Sequence, residues 1–159
     1  MIHYLLNVKR ELMELIPIAG SNAKVVCYYT SWSSRRPGIG RFSPEDIDVS
    51  LCTHLIFAFG SLKNNRLSIL APSSDANDGD EVYDDPRTLS ETHERLQDLR
   101  AKNEDLKIIL AVGGWALGPT PFKDLTSNVF RMNQFVYDST EFLRANKFDG
   151  LDVDWAYPR

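Results

Sequence analysis

The sequence predicts an α/β fold, a partial (β/α)8 TIM barrel covering about strands one to four, with an extra helix in front of it. Three observations point there. Four short apolar runs alternate with helix-period or loop segments, which is the pattern of parallel βαβ units. The third run is apolar almost without a break, as in a strand buried on both faces. The 159 residues fall short of the roughly 250 that a closed eight-stranded barrel takes, and an open four-stranded sheet would leave its edges uncovered.

Two units are expected: residues 1–22, a helix and linker, and residues 23–159, the half barrel. In the first, Ile2, Leu5, Leu6, Met13 and Ile16 recur at helical spacing up to Pro17. Asn7, Lys9, Arg10, Glu11 and Glu14 break every apolar run, so the roughly 7–15-residue apolar core of a secretory signal is missing. The stretch reads as a docking helix or the remnant of an upstream domain.

Lys24–Tyr29 and Thr53–Phe59 are the first two strands, rich in β-branched and aromatic residues. Between them Pro37, Gly38 and Gly40 mark a loop. Ser43-Pro44-Glu45 then opens a helical turn, a capping residue followed by proline at the first helical position. Leu62–Pro86, polar and acidic, is expected to be a long surface loop. Arg87–Asn103 places Leu89, His93, Leu96 and Leu99 at helical spacing, and Leu106–Val112 is the third strand. Thr126–Asn146 is expected to form one long helix with Phe130, Phe135, Phe142 and Leu143 on its apolar side. Phe148–Trp155 is the fourth strand.

Composition narrows the function. Hydrophobic residues at 43% and charged residues at 25% are ordinary for a globular domain. A net charge of −4 argues against nucleic acid as a partner, and no apolar run is long enough to span a membrane. Two cysteines are too few for a disulfide scaffold and lack zinc-site spacing. His54 reads as a core residue of the second strand, and His3 and His93 lie on helices without ligand partners at useful spacing. No metal or cofactor is expected.

The sharpest feature is the run DGLDVDWAYP, residues 149–158. Side chains alternate faces along a strand. Asp152 and Asp154 therefore point one way, with Ala156 next in line, and Leu151, Val153 and Trp155 point the other. In a parallel barrel the apolar set would meet the outer helices and the carboxylates would face the axis. Two carboxylates on one buried face repel unless they share a proton or gain strong donors. At the C-terminal end of a barrel strand such residues are expected to be catalytic.

The run resembles the active-site signature DGxDxDWEYP of family 18 glycoside hydrolases, the chitinases and chitinase-like lectins. VCYYTSW, CTHLIFAF and ILAVGGW agree in order and spacing, so the resemblance covers Lys24 to Arg159. It implies a barrel that binds chitin or chito-oligosaccharides, β-1,4-linked N-acetylglucosamine chains, in a cleft over the strand ends. Family hydrolysis is substrate-assisted, an exception to the two-carboxylate scheme. A glutamic acid protonates the glycosidic oxygen while the sugar's own acetamido oxygen attacks the anomeric carbon. By resemblance Asp154 holds the acetamido N–H and stabilises the oxazolinium ion. Asp152 is its proton-sharing partner, and Asp149 supports the strand end. Tyr28, Trp32, Phe59 and Trp115 match sugar-stacking positions, with core packing as the alternative use of their rings. Tyr157 joins them as a binding candidate, and Gly113 and Gly114 would let backbone approach the sugar.

The sequence departs from the signature at Ala156, where the family has its glutamic acid. A methyl group donates no proton, and a phenol such as Tyr157, with a pKa near about 10, is a poor substitute. The expectation is a chitin-binding but catalytically impaired domain. The alternative is a truncated or altered form of an active secreted endochitinase. The resemblance also implies a Cys27–Cys52 disulfide and hence an oxidising, extracellular compartment, although residues 1–22 carry no signal peptide. A half barrel with bare edges is further expected to self-associate.

Overall fold

The computed structural model describes residues 23–69 and 86–158; the expected N-terminal helix over residues 1–22 lies outside them. In chain order the elements are β1 (Val26–Thr30), β2 (His54–Lys63), β3 (Arg66–Ser68), α1 (Pro86–Asp98), β4 (Lys107–Gly113), α2 (Gly114–Leu117), α3 (Thr120–Thr126), α4 (Val129–Ala145) and β5 (Gly150–Asp154). The four strands expected from the apolar runs are β1, β2, β4 and β5. They form one sheet in that order, every neighbouring pair parallel. One register row runs Tyr28, Ile56, Ile109, Gly150 across the sheet.

The two faces differ. On one, Leu55, Phe57, Ile108, Leu110 and Val112 pack with Leu96 of α1, Phe122 and Leu125 of α3, and Phe135, Phe142 and Leu143 of α4. Each fully buried aliphatic side chain there contributes about 1.5–3 kcal/mol. The other face carries only a small cluster, Ile56, Ala58 and Ala111 with Phe59 and Ile109 against it, and no helix residue joins. Among the described residues, the helices therefore cover one side of the sheet and not the other.

Three expectations change. The stretch from Leu62 is not all loop: β2 runs on to Lys63 and turns back into antiparallel β3, with Leu62 opposite Leu67. Asn64 and Asn65 both sit at positive φ, 51° and 60°, as a two-residue hairpin of the type favoured by right-handed strand twist requires. Gly60 serves the same turn-back, since a Cβ there would lie 2.9 Å from the Ser68 carbonyl oxygen. The peptide bond between Ala58 and Phe59 is cis.

The long helix expected from Thr126 is present as α4, Val129–Ala145, and a separate short helix that was not expected, α3, precedes it. α3 ends at Thr126, and Asn128 starts α4 by accepting hydrogen bonds from the Phe130 and Arg131 amides at 2.8 and 3.3 Å, a side-chain cap of the usual kind. Phe130 is 76% exposed instead of on the apolar side, because at 3.6 residues per turn it lies about 140° around the helix from Phe135 and about 120° from Phe142. The helix expected over Arg87–Asn103 ends earlier, as α1 to Asp98 and then a 3-10 turn over Leu99–Ala101. The turn at Ser43 is also 3-10, Pro44–Asp46, and the Ser43 amide donates to the Asp46 carboxylate at 2.8 Å.

Candidate functional site

β5 places Asp152 and Asp154 opposite Ala111 and Gly113 of β4. Ala111 belongs to the open-face cluster, whereas Leu151 and Trp155 pack with the helix-side core, the Trp155 ring 5.5 Å from that of Phe122. The alternation read from sequence thus holds up to Asp154. It stops there. The Ala156 amide donates to the Asp154 carbonyl at 3.1 Å and Tyr157 has a φ of 58°, so the extended chain has ended before position 156. Two further expectations fail, one on each side of the sheet. The carboxylates are half-buried, not sealed in, and on the helix side Val153 is 51% exposed.

Asp152 has a donor. The Tyr28 hydroxyl, two register rows away across the sheet, donates to its Oδ2 at 2.9 Å. The Tyr28 phenol is pushed up to about 12, first by burial, then by this hydrogen bond and by the charges of Asp152 and Asp154. A carboxylate that accepts from a phenol disfavours its ionisation. Tyr28 therefore remains a donor at neutral pH and is too weak an acid to replace a glutamic acid.

The end of β4 is shaped by two glycines. Gly113 has a φ of 121°, and a Cβ there would lie 2.1 Å from the Asp154 carbonyl oxygen. At Gly114, φ 79°, it would lie 3.0 Å from the Phe59 ring. At both positions the close neighbour is the protein itself, so packing alone already demands glycine. Phe59 stacks on Trp32 with ring centroids 6.3 Å apart. Trp32 follows β1 in a 3-10 turn over Ser31–Arg35 and is 41% exposed. Trp115 follows β4 as the second residue of α2 and is 81% exposed. Tyr157 is exposed as well.

Asp149 is at the other end of β5 and does not join this group. Its Oδ2 accepts from the Ile108 amide and from the Arg100 guanidinium, both at 2.7 Å. Burial would raise its pKa, but the amide and then the guanidinium outweigh that and hold the carboxyl below its usual value. Arg100 also donates to the Leu106 and Lys147 carbonyls, tying α1 to the entries of β4 and β5. Nothing in the sequence pattern singled out Arg100, since a lone arginine late in a helix looks like a solvated charge. A depressed carboxylate stabilises the fold above its unfolded pKa and loses that contribution as pH falls through the folded one. Asp149→Asn should cost about 1–2 kcal/mol at pH 7, discounted for partial exposure. Urea melts should show that difference vanishing as pH is lowered below about 4.

Neither described histidine stands beside Asp152 and Asp154. His93 is buried, its Nε2 2.8 Å from the Asn146 carbonyl oxygen and its ring tilted against that of Phe148 with centroids 4.8 Å apart. His54 is only half-buried, with Nδ1 2.8 Å from the Thr53 hydroxyl at the start of β2, so its expected place in the core is corrected to the sheet's rim. Among the described residues no three His, Cys, Asp or Glu side chains are placed to hold a metal, and no helix is long and apolar enough to cross a membrane. Cys27 and Cys52 form a disulfide with Cα atoms 5.9 Å apart. Two concavities of about 540 and 630 Å³ flank the β2–β3 hairpin tip, against α4 and α3 respectively. Neither is lined by Asp152 or Asp154.

A parallel sheet with two carboxylates at the end of its last strand, aromatic residues after its first and third, and helices on one side can be compared with known proteins. Residues 24–159 match the sequence model of the glycosyl hydrolases family 18. The chain belongs to glycosyl hydrolase family 18. It is 41% identical to mouse chitotriosidase-1 over 139 residues, 87% of this chain and 27% of the relative. It is 38% identical to human chitinase-3-like protein 2, across 87% of this chain and 32% of that one.

Among solved family 18 structures, human YKL-39, described as a pseudo-chitinase with retained chitooligosaccharide binding, superposes with a TM-score of 0.68 at 36% identity. The Group IV chitinase of Ostrinia furnacalis does so with 0.69 at 34% identity. In each case 85% of this chain and 33% of the other are covered. The fold is thus part of a family 18 barrel, about a third of the length of the solved family chains. The family contains both chitinases and chitinase-like proteins, so membership alone leaves the chemistry at position 156 open.

Proposed function

We propose that this family 18 segment binds β-1,4-linked N-acetylglucosamine oligomers and does not cleave them. One observation carries the reading: in DGLDVDWAYP the position that would supply the general acid is Ala156. Asp154 would hold the acetamido N–H, Asp152 would share its charge with the Tyr28 hydroxyl, and Asp149 would keep β5 in register from below. Trp32, Phe59, Trp115, Tyr28 and Tyr157 would present faces to pyranose rings, with Gly113 and Gly114 holding the β4 end close beneath. The glycosidic oxygen would leave as an alkoxide without a proton. General acid catalysis supplies about 10²–10⁴-fold in rate, so hydrolysis falls by that factor while stacking contacts persist.

A second reading is that the residues belong to an active secreted endochitinase, altered at position 156. The Tyr28–Asp152–Asp154 arrangement favours it, because those groups serve catalysis as much as binding. Secretion is supported in either case by the Cys27–Cys52 bond, since disulfides persist in oxidising compartments. Retention on a chito-oligosaccharide resin tests the binding claim. Trp115→Ala should weaken it about five- to tenfold, a stacking contact of about 1–1.4 kcal/mol. Phe130→Ala, which removes an equally bare ring on α4, should leave it unchanged. Equal losses would mean nonspecific adsorption, and no retention of the parent chain would sink the reading.

A further inference from the structure

The turn that leads from α4 into β5 is held by α1 through two consecutive carbonyls. His93 Nε2 lies 2.8 Å from the Asn146 carbonyl oxygen. Arg100, in the 3-10 turn that ends α1, donates to the Lys147 carbonyl at 2.9 Å. Next along the chain the Phe148 ring meets the His93 imidazole, and the Asp149 carboxylate accepts from Arg100. Each of residues 146–149 is thus touched from α1 or from the turn that ends it. Outside support matters here, because Lys147 has a φ of 56°, a costly region for a residue with a side chain.

From this geometry we infer that His93 makes the hold of α1 on the entry to β5 sensitive to acid: the neutral ring latches the turn and the protonated ring releases it. A carbonyl only accepts, so Nε2 carries the proton of the neutral ring and donates it to Asn146. Gln97 offers no second acceptor. Its Oε1 accepts from Arg100 Nε at 3.0 Å, which leaves its amide nitrogen facing the ring, 3.2 Å from Nε2. Among the described residues no group pairs with Nδ1. A second proton would therefore charge a ring that is 8% exposed, lies against Phe148 and has no protein acceptor for it, which is costly.

The charged groups around the ring divide. Burial has the largest influence and holds the imidazole below its usual value. The Asn146 hydrogen bond and Glu94 oppose that shift, and Lys147 adds to it. Arg100 brings a further cation through Gln97, while Asp149 pairs with Arg100 and not with the ring. A released histidine returns to an ordinary pKa of about 6.5 and so binds a proton that the latched one does not. Release is favoured as pH falls below about 6.5, and the latch is intact above it. Asp149 stays charged across this window, being held below its usual carboxylate value.

Hydrogen exchange on the whole chain reads the latch at the Phe148 and Asp149 amides, which donate to the Leu143 and Ile108 carbonyls. After correction for the intrinsic pH dependence of exchange, their protection should fall about three- to tenfold from about pH 7 to about pH 5.5. His93→Gln keeps a side-chain N–H donor and does not titrate, so its protection should change less than about twofold over the same range. The variant retains His3 and His54, whose contributions are common to both chains. An NMR titration of the parent should place the His93 ring below about 6.5, a reading that stands even if the variant does not fold. Three results would overturn the latch: protection independent of pH in the parent, an equal fall in His93→Gln, or a ring that titrates at or above about 6.5.

Discussion

Ala156→Glu is expected to raise the hydrolysis of an unactivated chito-oligosaccharide about 10²–10⁴-fold over the parent chain. The substitution adds one carboxylic acid two residues after Asp154 and leaves Asp152, Asp154 and the Tyr28 hydrogen bond in place. Leaving-group chemistry provides an internal control. An aryl glycoside with an acidic phenol departs without protonation, so the parent chain should retain more of its rate on that substrate than on the oligosaccharide. The gain from glutamate should be correspondingly smaller there. Product analysis by chromatography on both substrates gives the ratio. If Ala156→Glu changes neither rate, the two aspartates are not arranged for assistance by the acetamido group, and the loss of activity lies in more than one residue. If the parent chain already cleaves the unactivated substrate, the proposal that it only binds is wrong.

Breaking the Cys27–Cys52 bond should cost about 3–4 kcal/mol if the constraint on a 25-residue loop acts through the unfolded chain. At this size that corresponds to a fall in Tm of about 6–16 °C. The loop it closes runs from β1 through three 3-10 turns into β2 and has no regular sheet or α-helix of its own. Hydrogen bonds such as those of Ser33 with the Phe42 carbonyl and of the Ser43 amide with Asp46 act within the loop, and the Glu45–Arg95 ion pair, partly exposed and worth little, and the Asn103 amide donating to the Val49 carbonyl tie it to the rest. Cys27→Ser with Cys52→Ser, compared with the parent chain in thermal melts, measures the effect. An unchanged Tm would mean that the loop holds its shape through packing of Phe42 and Ile47 on the core and not through the bond.

The sequence carried the sheet well because strand burial writes itself into composition. Ile108, Leu110 and Val112 alternate with residues that face the other side, yet both sides are apolar, and the run had one reading. Elements held by local geometry were harder. The β2–β3 hairpin depends on left-handed Asn64 and Asn65, and a polar, acidic neighbourhood hid a turn signal that was present. The start of α4 depends on one cap, Asn128, and the short α3 before it carries too few residues to show a helical period. Phe130 was placed on the apolar side of α4 although helical spacing puts it well around the helix from Phe135 and Phe142, and it is exposed.

The candidate site was legible for a different reason. Two carboxylates two apart on a strand must share a face, and that parity needs no tertiary information. What parity could not supply was the partner from a distant strand: the Tyr28–Asp152 bond spans 124 residues of sequence. Parity sets Asp149, three residues before Asp152, apart from the other two, but not what holds it. The clamp by Arg100 and the Ile108 amide depends on how α1 meets the sheet, and no spacing rule encodes it.

The unequal cover of the sheet has a kinetic side. Amides of β2 and β4 are locked between strands on both flanks and beneath packed helices, so they should exchange with deuterated solvent only when the whole domain opens. β5 is bonded on one flank, with Val153 bare on its helix side, and its outward amides should exchange through local fraying. Asp152 and Asp154 thus ride on a strand that opens more readily than β2 or β4. An oligosaccharide bound across that flank would slow β5 exchange before it altered exchange in β2 or β4.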